Sequence, residues 1–356
     1  MSWFLAFAGF ATLVVLHELG HFAAAKAVGM RVEKFSLFFG PMLAKVTRGE
    51  TTYGIGPIPL GGYVKITGMN PAEDIPPEHA HRAYYRQPVW KRIVVIVAGP
   101  LVNIVLAFLI LWIVFSTTGP QQATPRVEQI RPPAATVLQP GDRIVAVDGK
   151  RGEVAVLARQ ISSHRCPGEP KDGCRAAEPA RLTIERGGRE RTVSVTPVYS
   201  TAEGRTLAGI SFQTRELPAP GPGEAAGESL DLMWRVTTAT ATVISRLFEA
   251  EQRKQLSGVV GSYEVTRQSV NISAERAFLI LALISLSLGL INLLPFLPLD
   301  GGHIFWAIGE KLRGRPIPFR VMERASVVGF ALVGILFFIG LNNDIDRLLN
   351  GGFKLR

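Results

Sequence analysis

The chain has 356 residues, carries a formal net charge of +10, and is 47% hydrophobic with a mean hydropathy of +0.22. Its length accommodates two or three structural units, and apolar residues gathered into long runs exclude an ordinary soluble globular chain. The basic excess does not mark a nucleic-acid binder, because the Lys and Arg residues are scattered and no nucleic-acid module surrounds them.

Four apolar runs, at residues 3–28, 89–116, 277–299 and 321–341, approach the roughly 20 residues that cross a bilayer and predict four transmembrane helices. The loop between the first two holds Arg31, Lys34, Lys45, Arg48, Lys65, Arg82, Arg86, Lys91 and Arg92. The loop between the last two holds Lys311, Arg313, Arg315, Arg320 and Arg324. With four spans these loops share a side, and positive charge places that side in the cytoplasm. Both termini and the long stretch 119–276 are then expected to face the periplasm or the cell exterior. The first run ends in Ala23, Ala24 and Ala25, like a signal peptide, yet no basic region precedes it. It is expected to be retained.

Inside that run His17, Glu18 and His21 spell H-E-x-x-H, and they are the ionisable side chains of residues 3–25. On a helix, positions i and i+4 share a face, so both imidazoles reach one metal ion, and Glu18 stands beside them to handle a proton of the attacking water. Three ionisable groups in hydrocarbon are costly unless something compensates them, and Zn2+ suits neutral imidazole.

Residues 30–68 are rich in glycine and β-branched residues. Turn signals at Gly40-Pro41, Gly49-Glu50, Gly56-Pro57 and Gly61-Gly62 divide them into short strands. This β-element is too apolar for a free loop and is expected to be re-entrant, covered by the helices; a small cytoplasmic hairpin is the alternative. Residues 70–87 form a polar connector whose His79 and His81 are solvated. In the second span, Ala98 and Gly99 allow close helix contact, and Asn103 is the polar side chain at depth.

Residues 119–215 are polar with short β-type runs (RVEQI, DRIVAVDG, ARLTIER, RTVSVTPV, AGISFQ) and one helix candidate, VAVLARQISS, which together suit one small α/β module. Cys166 and Cys174, the two cysteines of the chain, lie in a Pro- and Gly-containing loop there. On an oxidising side they close a disulfide, and two free thiols are the alternative. Residues 216–227 read as a linker, and 228–273 as amphipathic helices at the membrane surface, with apolar positions including Leu230, Met233, Trp234, Val236 and Leu247 and a break at Leu256-Ser257-Gly258.

The third run ends in NLLPFLPLDGGH, where Pro295 and Pro298 interrupt the helix and Gly301-Gly302 loosens it. Asp300 falls at that break among apolar residues, where a carboxylate is expensive without a cation. A catalytic zinc site needs a third protein ligand beside two histidines, which Asp300 supplies; a helix-capping role is the alternative. His303 is a rival ligand nearer the cytoplasmic loop. Asn292, eight residues earlier, is a buried amide suited to holding a substrate backbone or an oxyanion.

Together, His17-Glu18-Leu19-Gly20-His21, the GGYVK at residues 61–65 and the N292-LLPFLPL-D300-GG stretch resemble the site-2 protease family of intramembrane zinc metalloproteases, and within it the bacterial RseP-type branch. PGDRIVAVDG at residues 140–149 resembles a PDZ domain, and the Leu256-Ser257-Gly258 stretch also matches that branch. The resemblance implies His17, His21 and Asp300 as zinc ligands, Glu18 as catalytic acid/base, and Asn292 with Gly61 and Gly62 of the re-entrant β-element in substrate binding. It implies substrates that are single-span membrane proteins already trimmed by an upstream site-1-type protease, such as anti-sigma factors, and also remnant signal peptides. One PDZ-like module is expected rather than a tandem pair, so the organisation is 1–118, membrane part; 119–215, PDZ-like; 216–273, linker and amphipathic helices; 274–356, membrane part. A membrane metal transporter and a catalytically idle PDZ-bearing adaptor are the rival readings. Carriers often show internal repeats, which this sequence lacks, and an adaptor has no use for Glu18.

Overall fold

The computed structural model describes residues 2–70, 73–201, 203–246, 249 and 257–349. The chain divides into two compact units, one of Met1–Thr118 with Pro220–Arg356 and one of Gly119–Ala219.

The first unit is helical around a small sheet. Helices α1 (Ser2–Ala27), α2 (Val89–Thr117), α6 (Ala274–Asn292) and α8 (Phe319–Leu349) are each long and apolar enough to cross a membrane, as expected of a polytopic membrane protein. The other helices of this unit are α4 (Pro222–Ser245), α5 (Val259–Ile272) and α7 (Asp300–Arg313). Because lipid is as apolar as leucine, close helix contact here depends on small residues and polar ties. Ala107 and Leu111 of α2 pack with Ala282 and Leu286 of α6 and with Met233 of α4. Thus α4 lays its apolar face against two spanning helices, and it begins at Pro222, inside the stretch read from sequence as linker. Leu247 and Leu256, named among the amphipathic positions and the break, lie outside the described residues. Ser257 and Gly258 immediately precede α5.

The run at 277–299 is helical only to Asn292, and residues 293–299 are irregular. Proline explains this: it lacks the donor that would continue the ladder and crowds the preceding turn. Ser273 caps the start of α6 by accepting from the Arg276 N–H.

Between α1 and α2, strands β1 (Val32–Phe39), β2 (Ala44–Arg48), β3 (Thr51–Ile55) and β4 (Ile58–Ile66) form one sheet in the order β2-β3-β1-β4. β1 runs parallel to β3 and antiparallel to β4, so β4 is an outer strand. Turns occur at Gly40-Pro41, Gly49-Glu50 and Gly56-Pro57, but the expected turn at Gly61-Gly62 is replaced by continuous β4. Gly61 does adopt φ +122, a conformation only glycine takes freely, and it resolves as an irregularity within the strand.

The second unit is a β domain. Strands β5 (Gln121–Ile130), β6 (Arg143–Val147), β8 (Ala180–Arg186), β9 (Arg189–Val195) and β12 (Ile210–Glu216) run in the order β12-β5-β6-β8-β9, with β7 (Lys150–Arg151) paired to β6. β10 (Val198–Ser200) and β11 (Arg205–Leu207) form a separate pair. Helix α3 (Val154–Ser162) contributes Leu157 and Ile161 to a core with Ile144, Val147, Leu182, Ile184 and Val195. Alternation along β8, which buries Ala180, Leu182 and Ile184, is the period of a half-covered sheet. Asp142, almost fully buried, is held by Arg186 and by the Gln139 N–H, and the guanidinium keeps its carboxyl below the usual range. Cys166 and Cys174 are joined in a disulfide, their Cα atoms 6.1 Å apart.

Candidate metal centre

α1 buries Leu13, His17, Gly20 and His21 along one face, against α2. The i, i+4 spacing brings the His17 and His21 Nε2 atoms to 3.3 Å. Asp300, the first residue of α7, completes the cluster: its Oδ2 lies 3.2 Å from each of those nitrogens. Both histidines are buried, and Asp300 is half-buried. Among the described residues this is the group of three His, Cys, Asp or Glu side chains whose donor atoms converge.

The donor set fits zinc. Two imidazole nitrogens and a carboxylate oxygen are zinc's usual ligands, and tetrahedral bonds of 2.0–2.2 Å set neighbouring donors about 3.4 Å apart. The observed triangle matches that spacing. The tautomer also fits. His21 Nδ1 lies 2.8 Å from the Val95 carbonyl, which only accepts, so Nδ1 carries the proton and Nε2 presents its lone pair to the cluster. His17 Nδ1 is buried with no partner among the described residues.

α2 comes close enough to support this arrangement because residue 99 is glycine. A Cβ there would overlap the His21 imidazole. The small pair Ala98-Gly99 read from sequence therefore does more than pack helices: it makes room for a donor ring.

Glu18 faces β4. Its carboxyl interacts with the backbone of Val64, and a Cβ on Gly62 would stand 3.0 Å from the Glu18 Cγ. At Gly61 a Cβ would meet the Phe39 ring. The glycine pair thus lets an outer strand lie directly beside the proposed acid/base.

The remaining sequence candidates are not among the converging donors. Asn292 is the last residue of α6 and its side chain makes no hydrogen bond among the described residues. His303 sits one turn into α7, outside the convergent group. His79 and His81 remain in the 3-10 turn Pro77–Arg82 of the connector. Asn103 is fully buried between α2 and α6; its carbonyl accepts from Ser285 Oγ at 2.8 Å, while its side-chain amide has no partner among the described residues. Sequence reasoning missed two interactions nearby in α2, the Val95 carbonyl on His21 and the Arg92–Glu310 ion pair. The first carries no side-chain signal, and the second joins residues 218 positions apart.

A model of the family described as peptidase family M50 matches residues 5–336 of the chain. The chain is 32% identical to a protein of Rhizobium meliloti, over 94% of this chain and 94% of that one. It is 31% identical to a protein of a Nostoc species over the whole of both, and 31% identical to one of Campylobacter jejuni over 95% of this chain and 91% of that one. Each of the three bears the printed name "Putative zinc metalloprotease".

Proposed function

Since the chain belongs to peptidase family M50, the site-2 proteases, and is a zinc-dependent membrane protease, we propose that it cuts single-span membrane proteins within or near the bilayer, with His17, His21 and Asp300 holding the zinc and Glu18 as acid/base. The observation that carries this reading is the 3.2–3.3 Å triangle of donor atoms with Glu18 next to it in sequence.

Bound zinc supplies Lewis acidity to a carbonyl and lowers the pKa of water. The chain's own residues do the rest. Glu18 accepts the proton of the attacking water and returns it to the leaving amine. The Val95 carbonyl fixes the His21 ring, and Asp300 brings a negative charge from a separate helix. Asn292, at the end of α6, donates to the substrate backbone or the developing oxyanion.

A substrate helix has its carbonyls hydrogen-bonded internally and must unwind before it can be cut. Addition of an extended strand to β4 replaces those lost bonds. What supports this is that β4 is an outer strand and that Gly61 and Gly62 bring it against Glu18. The sheet then acts as the re-entrant element.

Unit 119–219 is read as PDZ-like on the strength of the PGDRIVAVDG stretch, β6 and the helix that follows. It screens out untrimmed proteins, leaving the products of an upstream site-1-type protease, with anti-sigma factors and remnant signal peptides as the substrate classes. The disulfide and the basic loops favour an extracytoplasmic position for this unit, with both termini on the same side of a bacterial inner membrane. The test is cleavage of a single-span substrate in proteoliposomes, offered trimmed and untrimmed, with the product mapped by mass spectrometry. Cutting inside the span of the trimmed form alone is expected. Cutting only in soluble flanks would contradict the reading.

A further inference from the structure

Asp300 reaches the histidines from a helix with few fixed points. At 14 residues, about 21 Å, α7 is shorter than the spanning helices. Irregular segments adjoin it at 293–299 and after Gly314. Its outer face shows Phe305, Ile308 and Leu312, apolar side chains for which lipid offers no directional restraint. Something must set its register along α2, since a shift of even one residue would carry Asp300 about 1.5 Å along the axis.

Two features can do so. At its first turn, Gly301 and Gly302 lie against the backbone of residues 293–297. At its far end, Glu310 meets Arg92 of α2 in a two-pronged ion pair: Nη2 donates to Oε1 at 2.6 Å and Nη1 to Oε2 at 3.0 Å. Arg92 is 8% exposed, and its guanidinium lies over the buried Tyr84 ring at 5.9 Å. Ile304, between the two ends of α7, packs on the cluster formed by Tyr84, Val95 and Ile96.

The placement of Arg92 matters as much as its partner. Three residues further along the same turn of α2 is Val95, whose carbonyl orients His21. A single turn of α2 therefore holds one histidine through a backbone carbonyl and the helix bearing the carboxylate through a guanidinium. Buried ion pairs contribute little net stability, because desolvation offsets the attraction, but the planar fork fixes geometry in a way a lone ammonium does not.

We infer that Arg92 and Glu310 are positioning residues of the metal centre, setting α7 in register on α2 so that Asp300 meets His17 and His21. This rests on the reading of those three as the zinc ligands. It gives Arg92, and Glu310 10 residues after Asp300 in sequence, a direct bearing on metal affinity.

The test uses the full chain in detergent and measures zinc affinity by competition with a chromogenic chelator. The variants are Glu310→Gln, which keeps the shape of the side chain, Arg92→Lys, which keeps the charge, the double variant, and Asp300→Ala. Each single variant is expected to weaken zinc binding by about 10- to 100-fold, as for lost outer supports of metal ligands. The double variant should be no weaker than the worse single one, because the two side chains act as one unit. At saturating zinc, kcat should fall with KM unchanged. Zinc affinity within about twofold of wild type in Glu310→Gln, or losses that add in the double variant, would overturn the inference. Wild-type affinity in Asp300→Ala would instead overturn the ligand assignment beneath it.

Discussion

Gly99 has no side chain because the His21 imidazole occupies the place where one would stand. Gly99→Val should therefore displace the ring and weaken zinc binding by about tenfold or more, measured by chelator competition on folded protein; wild-type affinity would show that the helices part without cost. His17, Glu18 and His21 were legible from sequence because helical spacing alone puts them together, and Asp300 because an isolated carboxylate in an apolar run demands a cation. Gly99 was legible only as a small residue that lets helices approach. Its particular neighbour depends on the angle at which α1 and α2 meet, which no local pattern records. Glu50 shows a different kind of residue-scale effect, outside the spans. Hydrogen bonds from Arg82 and then Lys26 pull its carboxyl down to about 2. A carboxyl depressed in the folded state contributes fully above its unfolded value of 4.5, and that contribution is lost as pH falls towards 2. Glu50→Gln should cost about 1–2 kcal/mol at neutral pH, with the difference from wild type closing by about pH 2. Thermal unfolding across that range checks it, and a gap that is constant with pH would contradict it.

Asp344 ties helix α8 to the start of α5. Asp344 is fully buried, and it accepts from the Ser257 hydroxyl at 3.0 Å and from the Gly258 and Gly261 N–H groups at 2.9 and 2.7 Å. It therefore satisfies the free donors at the start of α5 from another element, where a capping side chain would otherwise come from the helix itself. Asp344→Ala leaves those donors unpaired and should cost about 2–3 kcal/mol, while Asp344→Asn, which keeps one acceptor, should cost less. Equal thermal stability in all three forms would contradict this. At this scale the sequence was most readable where the chemistry was local. Proline ended α6 as expected, and three of four glycine turns in the sheet formed. Gly61-Gly62 misled because glycine marks both turns and sites of close approach, and only the position of Glu18 against β4 separates the two. The start of α4 was also hidden, since a Pro-Gly pair reads as linker although proline is well suited to the first turn of a helix.

The whole molecule joins a helical membrane unit to a β domain whose alternating strands build a separate core. That division was visible as a change in composition near residue 119, because lipid and water impose different rules on side chains. The strand order and the neighbours of each helix were not visible, since they arise from contacts between distant segments. The account's central claim is that one cluster, assembled from α1 and α7 and backed by Glu18, makes this chain a protease rather than a carrier or an adaptor. The most direct measurement is cleavage of a tagged, trimmed single-span substrate by wild type and by Glu18→Gln, with zinc content determined in both. The account predicts that wild type cuts and that Glu18→Gln retains zinc but loses at least about a hundredfold in rate. A Glu18→Gln variant that holds zinc and cuts as fast as wild type would contradict it.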